Sequence, residues 1–265
     1  MSTAFQKIRL HPWYSVSIVA WTAFCHPGMF SALNGLGAGG AESPTLSNII
    51  NAIVFGVLTV GGLVAGIICN KIGVRWTLIL GTLGYAPYAA ALYTNAAFGN
   101  SWFPIIGALT CGTSAVFLWT ASGAINLVVP PVHQRGRAAA TKFALQNLGG
   151  FIGGAVSLGL NIHQDHSGRV SDGIYGLIVQ YQYNSRHSAP IDITNRLFAK
   201  SALLFILCGL IENSGMVFGY WIIASLGLDP GSVASFVGLA TGVGSLGSTA
   251  AFILGACDVE LRWQL

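Results

Sequence analysis

From Leu46 to Cys69 the chain runs 24 residues without a charged side chain, and the run closes on Gly66-Ile67-Ile68-Cys69-Asn70-Lys71-Ile72-Gly73-Val74-Arg75, where two cations stand at its edge. About 20 apolar residues cross a bilayer as a helix, and a helix satisfies every backbone N–H and C=O within its own segment there. The run therefore constrains the chain to a fold made in a membrane. Composition agrees, with 8% charged and 53% hydrophobic residues where an average soluble domain carries about 25% charged.

The net charge of +4 is spread over single Lys and Arg residues at the joints between apolar runs. That scatter reads as a topology signal and gives no patch for nucleic acid. Cys25, Cys69, Cys111, Cys208 and Cys257 lie in or beside apolar runs without metal-type spacing, so neither disulfides nor zinc are implied. Lys7 and Arg9 precede an apolar stretch, Trp13 to Leu33, that is longer than the core of a secretory signal, about 7 to 15 residues. It reads as a first, retained span.

Further spans read as Leu46 to Cys69, Trp76 to Tyr93, Trp102 to Val129 and Ala138 to Ile162. Joints rich in Lys and Arg (Lys7 and Arg9; Lys71 and Arg75; Arg135, Arg137 and Lys142) alternate with joints that have none. The positive-inside rule then puts the N-terminus in the cytoplasm. Gly173 to Tyr183 is too short to cross and reads as a stub, followed by a polar stretch and two more spans, Ser201 to Leu226 and Ser232 to Cys257. The expected fold is all-α: a polytopic transmembrane bundle of about seven full spans plus the stub. Its organisation reads as 1–180, a first half of five helices and the start of a sixth; 181–200, a polar connector; and 201–265, two helices of a second half.

Gly62/Gly66, Gly149/Gly153, Gly150/Gly154, Gly215/Gly219 and Gly238/Gly242 share the small-xxx-small spacing that lets helix backbones approach in lipid. Gly35-x-Gly37-x-x-Gly40 matches the dinucleotide fingerprint formally, but it leaves a membrane helix and opens no β-α-β unit, so no cofactor is expected. No Ser-His-Asp set is legible in a loop, and His163-Gln164-Asp165-His166 reads as a solvated turn. No enzymatic activity and no metal are expected.

The pattern Gly66-x-x-x-Asn70-Lys71-x-Gly73-x-Arg75 resembles the signature between the second and third helices of the major facilitator superfamily. An acidic residue usually stands there at the place of Asn70. More narrowly, Pro27-Gly28-Met29-Phe30-x-Ala32-Leu33-Asn34-Gly35-Leu36-Gly37 resembles the first helix of the fungal Unc-93-like branch. Gln146-Asn147-Leu148-Gly149-Gly150, Ser171-Asp172-Gly173-Ile174-Tyr175, and Tyr220-Trp221-Ile222-Ile223 with Asp229-Pro230 are similar to that branch too. The resemblance implies alternating access, with Gly66, Asn70, Lys71, Gly73 and Arg75 gating the cytoplasmic side and Asn70 capping a helix that starts at Pro230-Gly231-Ser232. It also implies several further helices between the fifth span and Ser201 and one after residue 257, so a shortened product is the expectation.

Cavity candidates are polar groups within spans. His26 is followed by helix-breaking Pro27, a pattern that lines transporter sites or merely kinks a helix. Glu212, with Asn213 beside it, costs about 2.5 to 3.5 kcal/mol at mid-membrane unless neutral or paired; a proton or solute role and a buried neutral role both stand open. Asn34, Asn51, Asn126, Gln146 and Asn147 are amides that bond between helices or face a wet cavity. The functional expectation is a solute transporter; the alternatives are a regulator of a channel or other membrane protein, and an inactive fragment. Expected partners are the lipid bilayer, a small solute with or without protons, and a membrane protein.

Overall fold

The computed structural model describes residues 11–35, 44–161 and 196–257. The stub at 173–183, the turn at 163–166, the first part of the connector (181–195) and residues 36–43 of the glycine string lie outside these. The first span begins at Pro12 because His11 accepts from the Trp13 amide (3.3 Å) and a proline at the first helical position lacks an N–H that would go unpaired anyway. It comprises α1 (Pro12–Ala23), a π-helical turn (Phe24–Gly28) and α2 (Met29–Gly35). Pro27 inside that turn cannot donate to the helix ladder, and the turn widens around it.

Next come α3 (Pro44–Ile72), α4 (Val74–Leu83), α5 (Tyr85–Phe98), α6 (Trp102–Val128), a short 3₁₀ turn (Val132–Gln134) and α7 (Arg135–Asn161). After the undescribed stretch, α8 (Arg196–Ser225) and α9 (Pro230–Ala256) complete the bundle. Among the described residues, four segments are long and apolar enough to cross a membrane by length and composition alone: 12–34, 45–72, 102–128 and 230–256. The others are a broken pair, α4 and α5, and two helices carrying charges, α7 and α8.

Two boundaries differ from the sequence reading. Trp76 to Tyr93 is interrupted at Gly84, where the Ser114 hydroxyl accepts from the Gly84 amide (2.8 Å) and donates to the Leu80 carbonyl (3.0 Å), inserting a side chain of α6 into the ladder. Such an insertion is a recognised cause of kinks. The span read from Ser201 begins at Arg196, so the end of the expected connector is helical.

α6 sits centrally, with 56% of its most apolar window buried against 22% for α9. Its inner face packs on α3 through Val54, Leu58, Cys111 and Ala115, on α5 through Tyr88 and Leu92, and on the α7–α8–α9 group through Leu127, Ala139, Tyr220 and Val237. Outward faces remain apolar: Val60, Leu63, Val64 and Ile67 of α3 are exposed at helical spacing. In water such a stripe would be a liability; in lipid it needs no cover.

α3 and α9 meet along glycines. A methyl on Gly62 would lie 2.6 Å from the Gly238 carbonyl oxygen and 2.7 Å from the Gly242 Cα, and one on Gly66 would collide with the Ser235 Cα. The first span meets α7 in the same way, Gly28 against Gly149 and Ala32 against Gly153. The Gly215/Gly219 pair of α8 has nothing within 4 Å and serves no contact among the described residues.

Candidate functional site

One end of the bundle carries Lys71, Arg75, Arg135, Arg137 and Asp229, and there the first half of the chain (α1–α7) is tied to the second (α8 and α9). Gly73 makes the one-residue turn from α3 to α4 at φ 84, ψ 149, a conformation open in practice only to glycine. Nothing lies within 4 Å of where its Cβ would be, so the requirement is conformational alone. Gly73→Ala is expected to cost about 1–3 kcal/mol, read as a lower melting temperature in detergent.

That turn holds Asn70 at the N-terminus of α9. The expected contact pairs the expected residues, but with opposite polarity. Asn70 Nδ2 donates to the Gly231 carbonyl (2.9 Å), and the helix is capped by Asp229, whose carboxylate accepts from the Ser232 amide (3.0 Å) and from its hydroxyl. The acidic group that favours a helix N-terminus is thus supplied from α9's own side. The Ser232 hydroxyl and then its amide hold the exposed Asp229 carboxyl below its ordinary range. A group so depressed contributes at neutral pH and loses its contribution only as the pH falls through that lowered value. Asn70→Asp is expected to cost about 0.5–1.5 kcal/mol at neutral pH, because a carboxylate cannot donate to Gly231 and stands beside Asp229. The loss should shrink in acid, where the introduced carboxyl regains a proton to donate; melting curves across pH check this.

Lys71 and Arg75 are exposed at this end and make no ion pair with a described residue. Arg135 makes the second tie: its Nη1 donates to the Ala224 carbonyl (3.2 Å) in the last turn of α8, and its Nε to the Pro130 carbonyl (3.4 Å). A cation at a helix C-terminus is favoured by the helix dipole. Trp13 Nε1 donates to Gln134 Oε1 (2.7 Å), and the Arg137 guanidinium stands 5.5 Å from the Trp13 ring centre, joining α1 to the same corner.

Behind these ties lies the feature the sequence reading misassigned. Lys142, counted there among the loop cations, is 1% exposed in α7, and its Nζ has no hydrogen-bond partner among the described residues. It sits 4.2 Å from the ring centre of Trp119 (α6), 5.0 Å from Phe143 (α7) and 5.4 Å from Tyr220 (α8). Phe143 and Tyr220 are themselves edge to face at 5.5 Å. For the protonated amine a desolvated cation–π contact is worth ~2 kcal/mol, against several kcal/mol for desolvating the charge. The cage offsets part of the penalty and leaves the hydrogen-bonding capacity unmet. The signal was available: Lys142 falls inside the span Ala138 to Ile162.

On the α6 face that carries Trp119, Gly123 and Asn126 follow one and two turns on. The Tyr220 ring covers Gly123, and Asn126 is 0% exposed with both side-chain polar atoms unpartnered among the described residues. Buried polar groups are otherwise paired in the great majority of cases.

The remaining candidates fall elsewhere. His26 lies in the π turn, Nδ1 3.0 Å from the Thr22 carbonyl oxygen, its ring edge to face with Tyr85. Pro27 is buried, and the Gln146 backbone carbonyl packs on Gly28 while its buried side-chain Oε1 is unpartnered. Asn34 lies in the last turn of α2, and the buried Asn51 donates to the Ser47 carbonyl of α3 (3.1 Å). Asn147 and Asn213 are brought together, Nδ2 to Oδ1 at 2.8 Å, in an open groove of about 510 Å³ between α7 and α8. Glu212 is exposed next to that groove and does not line it.

Apolar helices of spanning length, lipid-type outer faces and glycine seams define a multi-pass helical membrane protein. The family described as ion channel regulatory protein UNC-93 matches residues 49–185, and the chain belongs to that family. It is 35% identical over 169 residues to the notoamide biosynthesis cluster protein O′ of Aspergillus versicolor, covering 64% of this chain and 37% of that protein. It is 38% identical over 165 residues to UNC93-like protein 1 of Arabidopsis thaliana (62% and 36%) and 39% identical over 163 residues to an UNC93-like protein of Schizosaccharomyces pombe (61% and 32%). The chain thus spans about a third of the length of the curated relatives it matches. No solved structure matches it.

Proposed function

We propose that the chain is a transporter of the major facilitator type, moving a small solute by alternating access without covalent chemistry, with its basic end in the cytoplasm. One observation carries this reading. Two sections of chain far apart in sequence meet at the basic end through two small, breakable hydrogen bonds, Asn70 on Gly231 and Arg135 on Ala224, beside a glycine seam that runs along α3 and α9. Contacts of that kind suit a gate, because a single hydrogen bond nets about 1 kcal/mol. In this reading Gly66, Asn70, Lys71, Gly73 and Arg75 form the gate, and the charges of Lys71 and Arg75 favour the cytoplasmic face. Proton coupling through Glu212 belongs to the same proposal; pH-dependent uptake unchanged in Glu212→Gln would remove it.

The family description favours a second reading, regulation of a membrane-protein partner. The test is accumulation of a labelled metabolite panel in proteoliposomes, with cysteines placed at residues 70 and 232 in a background free of other cysteines. A transporter accumulates a solute alone and stops when the two cysteines are joined. A regulator accumulates none and changes only the conductance of a co-reconstituted channel.

A further inference from the structure

We propose that Lys142, with Trp119, Phe143, Tyr220 and Asn126, forms a binding site for an aromatic or apolar monocarboxylate, held shut in this structure. The proposal deepens the transporter reading, on which it rests for the motion that opens the site.

The first argument is the charge tally. Among the described residues the carboxylates are Glu212 and Asp229; both are exposed, and Asp229 is committed to Ser232. Neither lies in the Lys142 cage, so the described fold places a cation in its interior and supplies no anion for it. A protonated amine in such a place is retained where a ligand brings the counter-charge.

The second argument is independent of the lysine. Asn126 is fully buried with a donor and an acceptor both unused. A carboxylate accepts from the free Nδ2 donor.

The third is shape. Three aromatic rings from three helices wall the amine, which matches a flat apolar body carrying one charge rather than a compact polyanion. A single cation likewise suits a monovalent anion. The rings come from both halves of the chain, α6 and α7 on one side and α8 on the other, so parting the halves at the basic end would open the site.

Equilibrium dialysis of the full-length protein in detergent with labelled benzoate, and its neutral isostere benzamide as competitor, tests this. Benzoate should bind about tenfold or more tightly than benzamide and than the dianion succinate. Lys142→Gln should lower benzoate affinity by a similar factor, and Lys142→Arg should keep it within a few-fold. Equal binding of benzoate and benzamide, benzoate binding indifferent to Lys142→Gln, or no benzoate binding by the wild-type protein would each overturn the proposal. The wild-type comparison needs no variant and stands if Lys142→Gln misfolds. Carboxylate binding without accumulation in vesicles would remove the transporter reading and leave the site. Accumulation of a neutral solute unaffected by Lys142→Gln would remove the site and leave the transporter.

Discussion

Lys142→Met is expected to raise the stability of the protein in detergent by about 1–4 kcal/mol, the range seen when buried charged groups give way to apolar ones of similar volume. The side chain is 1% exposed, its amine has no hydrogen-bond partner among the described residues, and three aromatic rings stand around that amine. Methionine keeps the unbranched stem, makes favourable contacts with rings, and removes a group that must be desolvated. A lysine present for packing alone would give the opposite sign, because removing its aromatic contacts would then only cost. Melting temperatures with and without a carboxylate probe separate the two. Stabilisation accompanied by loss of ligand response is the pattern of a residue kept for function against stability.

Gly66→Leu is expected to open the α3–α9 seam. Its Cβ would meet the Cα and amide of Ser235 and the Ala234 carbonyl, which are backbone and cannot rotate away as a side-chain tip can. Overpacking of a side chain into a filled core typically costs about 1–3 kcal/mol, and here the helix axes themselves must separate. Cross-linking between cysteines at residues 70 and 232 should fall sharply, since Asn70 is one turn from Gly66 on the same helix. Gly215→Leu, on a glycine with nothing within 4 Å, should leave that cross-link unchanged. Equal loss in both variants would show that membrane-helix glycines in general, rather than this seam, set the closure.

Which parts of this were legible in the sequence follows from the range of the forces involved. Spans such as Leu46 to Cys69 are read from transfer energy summed over some twenty residues, and the helices from Pro44 to Ile72 and Trp102 to Val128 agree with that reading to within three residues at each end. Gly73 was legible in a motif because one backbone conformation demands it. The break at Gly84 was not, since its cause is a serine thirty residues away. Spacing marked five glycine pairs equally, yet only contact distances tell the used pair at Gly62 and Gly66 from the unused one at Gly215 and Gly219. Lys142 was lost to a rule that treats a cation near a span's end as a loop charge. A tally of position along the helix would have placed it two turns inside α7, where it is buried in the bundle.

The Asn147–Asn213 pair has a consequence for how the halves can move. Each amide also bonds within its own helix, Asn147 to the Phe143 carbonyl and Asn213 to the Gly209 carbonyl, both at 2.8 Å. The pair therefore pins α7 and α8 at one height. A slide of one helical turn, 5.4 Å, would strand two amides where lipid offers no replacement. Along α3 and α9 the Thr59 and Thr249 hydroxyls meet at 3.1 Å and Asn70 holds the Gly231 carbonyl, so that seam is pinned as well. Both flanks thus resist a one-turn slide, and relative motion takes the form of a hinge rather than shear.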